Sequence, residues 1–370
     1  MDRLIAWLQT YPRLTKGEVT LQLEKKWAQW LGTKHAVYVN SGSSANLMML
    51  NVLQLSGRLK NNKVVVPSLA WATDLAPVLQ LNMQPIICDI NMQNLAVELN
   101  HLETIFQKEN PAVLMLVSVL GFPPKMKEII DLCKKYEVIL LEDNCESLGT
   151  KYNNTTLGNF GLMSSFSLYF GHHISTIEGG MVCTNDDEMY RLLKMIRSHG
   201  WDRDLSELEQ QKLRTENNLD DFDALYTFYV PGFNLRSTDL QAFIGLGQLE
   251  KLDRIIELRN LNYLLYRKLL TPNLWAPQID ETHFVSNFCY PIIHPERNKI
   301  VYALRKHNIE VRPLICGSMG TQPMYAKSYG RLELPNASIV DKQGCYIPNN
   351  HQLTADEIAR GCGVINELVG

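Results

Sequence analysis

Between residues 35 and 143 short apolar runs alternate with longer amphipathic segments, and this alternation constrains the fold more than any other feature of the chain. The runs are HAVYVN, VVVP, PIICDI, VLMLVSVLG and VILLEDN. Between them lie ANLMMLNVLQLSG, WATDLAPVLQL, the region around LETIFQKE, and KMKEIIDLCKKY. The runs have the length and branching of strands, and the segments have the spacing of helices. A strand that is apolar on both faces needs cover on both faces. The arrangement that supplies it is a parallel sheet with helices on either side and right-handed crossovers.

The flanking regions read as follows. Residues 1–31 are amphipathic at helical spacing and stop at Gly32. FGLMSSFSLYF predicts two short strands with a turn, and GHHISTIEGGMVCT a Gly-rich turn entering a strand. Residues 186–199 predict a helix. Residues 201–230 are polar, aromatic and irregular, as in a flap. QAFIGLGQLEKLDRIIELRNLNYLLYRKLL predicts one long helical stretch leading to a smaller C-terminal domain. The expected domains are 1–250 and 251–370, a division that suits 370 residues.

Charge and composition exclude several classes. The formal net charge is −3, with no basic or acidic tail, so neither nucleic acid nor an anionic membrane is an expected partner. No apolar run approaches the roughly 18–20 residues of a spanning helix. The start, MDRLIAWLQTYPRL, lacks the apolar core of a secretory signal. Eight cysteines are scattered with no CxxC pair, which fits buried thiols in a reducing compartment. The expected location is the cytoplasm.

Some residues stand out for chemistry. Ser41-Gly42-Ser43 opens a helix, where backbone N–H groups can hold a phosphate; an ordinary N-cap looks the same. Asp143 closes the strand VILLED, at the strand end where α/β proteins bind ligands, although such carboxylates also cap turns or bind metals. Glu146 follows within one turn and could equally be a solvated charge. Trp71 comes soon after VVVP and could stack on a flat ligand or fill a core. His172 and His173 lie in a small, apolar turn, which suggests proton transfer. Adjacent side chains diverge and no carboxylate or cysteine stands at ligand spacing, so a shared metal is not expected.

Taken in order, these pieces resemble the sugar aminotransferase/dehydratase family of fold-type I pyridoxal phosphate enzymes, the DegT/DnrJ/EryC1/StrS type. The resemblance runs through Thr15-Lys16-Gly17, NSGSSAN (40–46), VPSLAWAT (66–73), ICDI (87–90) and LLEDNCESLG (140–149). It continues through SFSLYFGHHISTIEGGMVCT (165–184), RSHGWDRD (197–204) and GFNLRSTDLQA (232–242). It implies an aspartate aminotransferase-like large domain with a mainly parallel sheet, and a smaller C-terminal α/β domain. The usual member carries a lysine five residues after the Ser of SFS and six before the Glu of EGG. Here that position is His172, and no lysine lies between Lys151 and Lys194. The branch that shares this change is the sugar 3-dehydratases. One type within it carries an iron–sulfur cluster on a close C-x-C pair. Cys289, Cys316, Cys345 and Cys362 are too far apart for that. The resemblance is therefore to the cluster-free type, which acts on a GDP-linked 4-keto-6-deoxy sugar in deoxysugar and O-antigen biosynthesis.

The same resemblance implies roles. Gly42, Ser43 and Ser167 would hold the phosphate. Trp71 would stack on the ring, Asp143 would meet its nitrogen, and Glu146 its hydroxyl. Asn234 would reach the cofactor of a neighbouring subunit, which implies a homodimer with shared sites. His199, Arg203, Arg236 and Arg312 are candidates for the carboxylate of L-glutamate or the phosphates of a nucleotide sugar, both of which suit the arginine fork. A lysine would anchor pyridoxal phosphate through a Schiff base, and imidazole cannot. His172 would instead act as base and acid for loss of the C3 hydroxyl from a sugar joined to pyridoxamine phosphate. L-Glutamate would restore the amine, and ammonia would leave. His173 is expected to be structural. A nucleotide-sugar aminotransferase, a dehydratase for another nucleotide, and a non-catalytic pyridoxal-binding protein are the alternatives.

Overall fold

The computed structural model describes residues 2–370. The first half of the chain runs α1 (Asp2–Leu8), α2 (Glu18–Leu31), β1 (His35–Val39), α3 (Gly42–Ser56), β2 (Lys63–Pro67), α4 (Ala72–Gln80), β3 (Gln84–Cys88), α5 (Leu99–Glu109) and β4 (Val113–Val117). Then come α6 (Met126–Lys135), β5 (Ile139–Asp143), the short β6 (Lys151–Tyr152) and β7 (Thr155–Thr156), β8 (Met163–Ser167) and β9 (Gly180–Thr184). Next are α7 (Asp187–Arg197), α8 (Glu207–Glu216), α9 (Asp239–Leu249) and α10 (Leu252–Leu269). The C-terminal part holds β10 (Cys289–Ile293), α11 (Arg297–Lys306), β11 (Arg312–Pro313), α12 (Pro323–Tyr329), α13 (Pro335–Gln343), β12 (Gly344–Pro348) and α14 (Ala355–Val369).

By contacts the chain forms two compact units. One is residues 1–59 with 162–250, and the other is residues 60–161 with 251–370. In the second unit β2 pairs in parallel with β3 and with β4, and β4 with β5. Each of these strands is mostly or wholly buried, as their apolar runs require. Their packing partners come from the helices: Leu102, Ile105 and Phe106 of α5 and Met126, Ile129 and Cys133 of α6 join Val65, Leu114 and Leu116 in one core. The same unit carries a three-stranded antiparallel sheet, β10-β12-β11.

The first unit departs from the expected parallel pattern. β1 pairs antiparallel with β9, and β9 antiparallel with β8. β8 and β9 are joined by residues 168–179, which form no helix, so they close as a hairpin. Three other expectations also change. FGLMSSFSLYF yields one strand, β8. The N-terminal helical region breaks between α1 and α2, where Tyr11 has φ 52° and Pro12 follows. The long stretch after residue 240 divides into α9 and α10 around Glu250 and Lys251.

The supposedly irregular 201–230 segment contains α8. Its start is a capping box: Ser206 Oγ accepts the Glu209 N–H, and the Glu209 carboxylate accepts the Ser206 N–H at 2.9 Å. The S-x-x-E signature was visible in the sequence. Among the described residues no helix is long and apolar enough to cross a membrane.

Candidate active site

Two sequence motifs prove to be one structural joint. The carboxylate of Asp239, at the start of α9, accepts the N–H groups of Gly17, Val19 and Thr20 at 2.7, 3.2 and 3.0 Å, and the Thr20 hydroxyl at 2.6 Å. A side chain at Gly17 would press on that carboxylate at 2.9 Å. T-x-G and STDLQA therefore fasten α2 to α9 through an anion at a helix N-terminus.

The helix start at Ser41 is built to expose N–H groups. Ser41 Oγ accepts the Ser44 N–H at 3.0 Å, and Ser44 Oγ donates to Asn40 Oδ1 at 2.6 Å. The first turn leaves its other N–H groups, those of Gly42 and Ser43, without intrahelical acceptors. Gly180 lies directly against this turn: a Cβ there would fall 2.2 Å from Ser41 O and 2.7 Å from Gly42 N. Only a bare backbone fits beside the cradle.

His172 sits on the β8–β9 hairpin loop. The loop is closed at its base by Leu168 N–H to Gly179 O at 2.8 Å and by Thr176 N–H to Leu168 O at 3.0 Å. His172 N–H donates to Tyr169 O at 3.0 Å, and the two rings meet edge-on at 6.4 Å. Gln241 of α9 donates to Glu178 O at 2.8 Å and holds the return limb. His172 is partly exposed and His173 is buried. Ser167 closes β8, and its Oγ accepts the Tyr169 N–H at 3.3 Å.

His199, Arg203 and Arg236 gather around Trp201, a residue that drew no attention in the sequence. The Arg203 guanidinium lies 3.9 Å from the Trp201 ring centre and that of Arg236 5.7 Å. His199 meets the same ring at 4.9 Å. Arg236 donates to Asn234 Oδ1 at 3.2 Å. His199 has φ 62°, fixed by its N–H to Phe233 O at 2.6 Å. Arg203, Arg236 and Trp201 also line a cavity of about 350 Å³ with Arg13, Lys16 and Glu18. Arg312 belongs to the other unit, where it is largely exposed and paired with Glu310 at 2.6 Å.

In that second unit, Asp143 ends β5 and is 5% exposed. Its Oδ1 accepts the Cys145 N–H at 2.8 Å. Asp74 of α4 is fully buried. Its Oδ2 accepts the Trp71 N–H at 3.0 Å. Burial first, then the charge and hydrogen bond of Asp143, push the Asp74 carboxyl well above the ordinary range, against the pull of the Trp71 N–H. Glu146 is no solvated charge. Burial raises it to about 8, with Asp143 adding to the rise and the Leu120 N–H, 2.7 Å from its Oε2, opposing it. Trp71 is 57% exposed, so it is not a core residue. Asp74 was missed because one acid among the polar residues of a helix start carries no distinctive sequence signal.

The donor sets suit pyridoxal phosphate. One unit offers an anion cradle at a helix start. The second unit carries the buried carboxyls of Asp143 and Asp74 and the exposed side chain of Trp71, chemistry suited to a protonated, flat heterocycle.

Comparison with known proteins agrees. Residues 2–366 match the family described as the DegT/DnrJ/EryC1/StrS aminotransferase family. A GDP-4-keto-6-deoxy-D-mannose 3-dehydratase of Yersinia pseudotuberculosis is 33% identical over 354 residues, 93% of this chain and 89% of that protein. The E. coli GDP-4-keto-6-deoxy-D-mannose-3-dehydratase with bound hydrated PLP superposes with a TM-score of 0.89 at 31% identity, over 98% of this chain and 95% of that one. A GDP-4-keto-6-deoxymannose-3-dehydratase holding a trapped PLP–glutamate geminal diamine gives a TM-score of 0.89 at 31% identity, over 98% and 96% of the two chains.

Proposed function

The chain belongs to the DegT/DnrJ/EryC1/StrS aminotransferase family, and from that premise we propose that it is the 3-dehydratase of GDP-4-keto-6-deoxy-D-mannose. It is a pyridoxal phosphate-dependent lyase with the aminotransferase fold. The observation that carries this reading is His172. It occupies the place of the family's lysine, on a hairpin loop whose base is fixed, in a chain with no lysine between residues 151 and 194.

Bound as pyridoxamine phosphate, the cofactor supplies an amine for the C4 ketone of the sugar and a ring that accepts an electron pair. Gly42, Ser43 and Ser167 bind its phosphate, since without a lysine noncovalent contacts must hold it. Trp71 covers the ring face, and Asp143 keeps the ring nitrogen protonated. Glu146, protonated at neutral pH, donates to the ring hydroxyl. His172 takes the proton from C4′ and returns one to the departing C3 oxygen. L-Glutamate restores the amine, and ammonia is the second product. His199, Arg203 and Arg236 bind the glutamate carboxylate or the nucleotide phosphates, and Arg312 is a further candidate. Asn234 contacts the phosphate in the partner subunit, which makes the protein a homodimer. We read residues 1–250 as the cofactor domain and 251–370 as the small domain, and place the protein in the cytoplasm.

The test is to incubate the purified protein with pyridoxal phosphate, L-glutamate and GDP-4-keto-6-deoxy-D-mannose, following ammonia and product mass together. The expected result is stoichiometric ammonia with a product lacking the C3 oxygen. An amino sugar without ammonia would mean an aminotransferase. Cofactor binding with no turnover on this or other nucleotide-linked 4-keto sugars would mean a non-catalytic protein.

A further inference from the structure

The loop after β4 holds a conformation that its sequence resists. Leu120 has φ 54°, the left-handed region, which a residue with a Cβ seldom adopts unless its surroundings hold it there. Its backbone is fixed on both sides. The Leu120 N–H donates to Glu146 Oε2 at 2.7 Å. The Leu120 carbonyl accepts two hydrogen bonds from the segment that enters β10: Asn287 Nδ2 at 2.7 Å and the Phe288 N–H at 2.9 Å. Gly121 follows with φ 86°, and a Cβ there would collide with Ser286 O, so the two backbones run in contact.

Asn287 is held in its turn. Cys289 of β10 faces Pro348 of β12 in register, so Asn287 and Asn349 lie at the same end of that strand pair. Asn349, in the run CYIPNNH, donates through Nδ2 to Asn287 Oδ1 at 3.2 Å, to Asn287 O at 3.1 Å and to Arg259 O at 3.0 Å. The Arg259 guanidinium, on α10, donates to Phe288 O at 2.8 Å and also to Asn349 O. Asn287, Asn349 and Arg259 are at most 2% exposed, so water does not compete for these bonds. One chain of hydrogen bonds thus runs from α10 and the end of β12 through Asn287 to Leu120, and it ends on Glu146.

We propose that Asn287 is a positioning residue for Glu146. It locks Leu120 in the left-handed conformation, so that the Leu120 N–H fixes the Glu146 carboxyl in one orientation, ready for the hydroxyl of the cofactor. Readiness for that hydroxyl rests on the role of Glu146 in the proposed function, whereas the link from Asn287 to Glu146 stands on hydrogen bonds alone.

The consequence is measurable on Glu146 itself. Burial raises its carboxyl to about 8, the Leu120 N–H opposes the rise, and Asp143 adds to it. The other titratable groups that bear on it are Asp74, Cys145, Cys289 and Tyr346. Freeing Leu120 weakens the donor to the anion, so the Glu146 pKa must rise.

The experiment uses the full chain, freed of cofactor, isotope-labelled at the glutamate carboxyls and followed by NMR as pH is varied. The Glu146 resonance is assigned by its loss in Glu146→Gln. Its pKa is then compared in native protein, Asn287→Ala and Asn262→Ala. Asn262 donates to Asn350 O at 2.9 Å and ties α10 to the same turn, off the path to Leu120. The same proteins are titrated with pyridoxal phosphate.

Asn287→Ala is expected to raise the Glu146 pKa by about one unit, the size of one hydrogen bond, and to bind pyridoxal phosphate about fivefold more weakly. Asn262→Ala is expected to match native protein in both. An unchanged Glu146 pKa in Asn287→Ala would overturn the proposal. So would an equal rise in Asn262→Ala, the mark of general loosening. Should Asn287→Ala not fold, Asn349→Ala, which removes the donors that hold Asn287, is read by the same two criteria. A rise confined to Asn287→Ala, in a protein whose native form binds no pyridoxal phosphate, would sink the cofactor reading and leave the link to Glu146 standing.

Discussion

Arg197 and Asp143 are about equally dry, yet their neighbours treat them in opposite ways. Arg197, 1% exposed, lies between Glu24 and Asp204, and donates to Tyr38 O at 2.9 Å. Asp204 also accepts from Lys16 at 2.9 Å. Two cations thus meet two anions. Burial pulls the Arg197 pKa down, and the charges of Glu24 and Asp204 more than restore it. Around Asp143 the picture is reversed: Asp74 and Glu146 add carboxyls of the same sign. A balanced buried cluster keeps its ions and ties elements together. Crowding carboxyls together in a dry site raises their pKa values. The first arrangement ties the fold together; acids perturbed as in the second are common where ligands bind.

The comparison is broken most severely by removing the central cation. Arg197→Met leaves Glu24 and Asp204 buried without their partner, and the expected loss is about 3–5 kcal/mol in denaturant unfolding. If the loss stays near zero, the network is not a structural tie. Asp204→Asn is milder, because Arg197 keeps Glu24: about 1–3 kcal/mol is expected. Asp204 is held below its ordinary 3.8 by Arg197 and Lys16, despite the opposing effect of burial. Its contribution is present above that value and is lost as pH falls through the lowered pKa, so native and variant must converge in acid.

The smallest expected effect, Glu146→Gln, sharpens the other side. The Glu146 pKa is raised from 4.5 to about 8, so the folded state keeps a proton that the unfolded chain has released. Its stabilising contribution is whole below 4.5 and is lost as pH rises through about 8. The variant has no such titration. Thermal midpoints between those pH values are expected to fall less steeply for Glu146→Gln than for native protein. Parallel slopes would show that Glu146 is ionised like a surface acid.

Much of this was legible in the residues. Strand and helix existence across 35–143 followed from apolar periodicity, because burying both faces of a sheet leaves little choice of side chain. The candidate positions at Ser41, Asp143 and His172 followed from motif order, because a turn at a strand end or helix start has local signatures. The pairing direction of β8 and β9 was not legible, since it depends on the length of the loop between them and the shape that loop takes. Trp201 was missed because its role lies in which cations stack on it, and Asp74 because its meaning comes from a carboxyl 69 residues away along the chain.

The sequence by itself determined the alternating fold, the family resemblance and the replacement of lysine by His172, because each is written in residue type and order. Only the tertiary structure decided which acids crowd together in the dry interior and which arginine is neutralised there. Those outcomes depend on burial and distance between groups far apart in the chain, and electrostatic energy in a dry interior is set by just those two quantities.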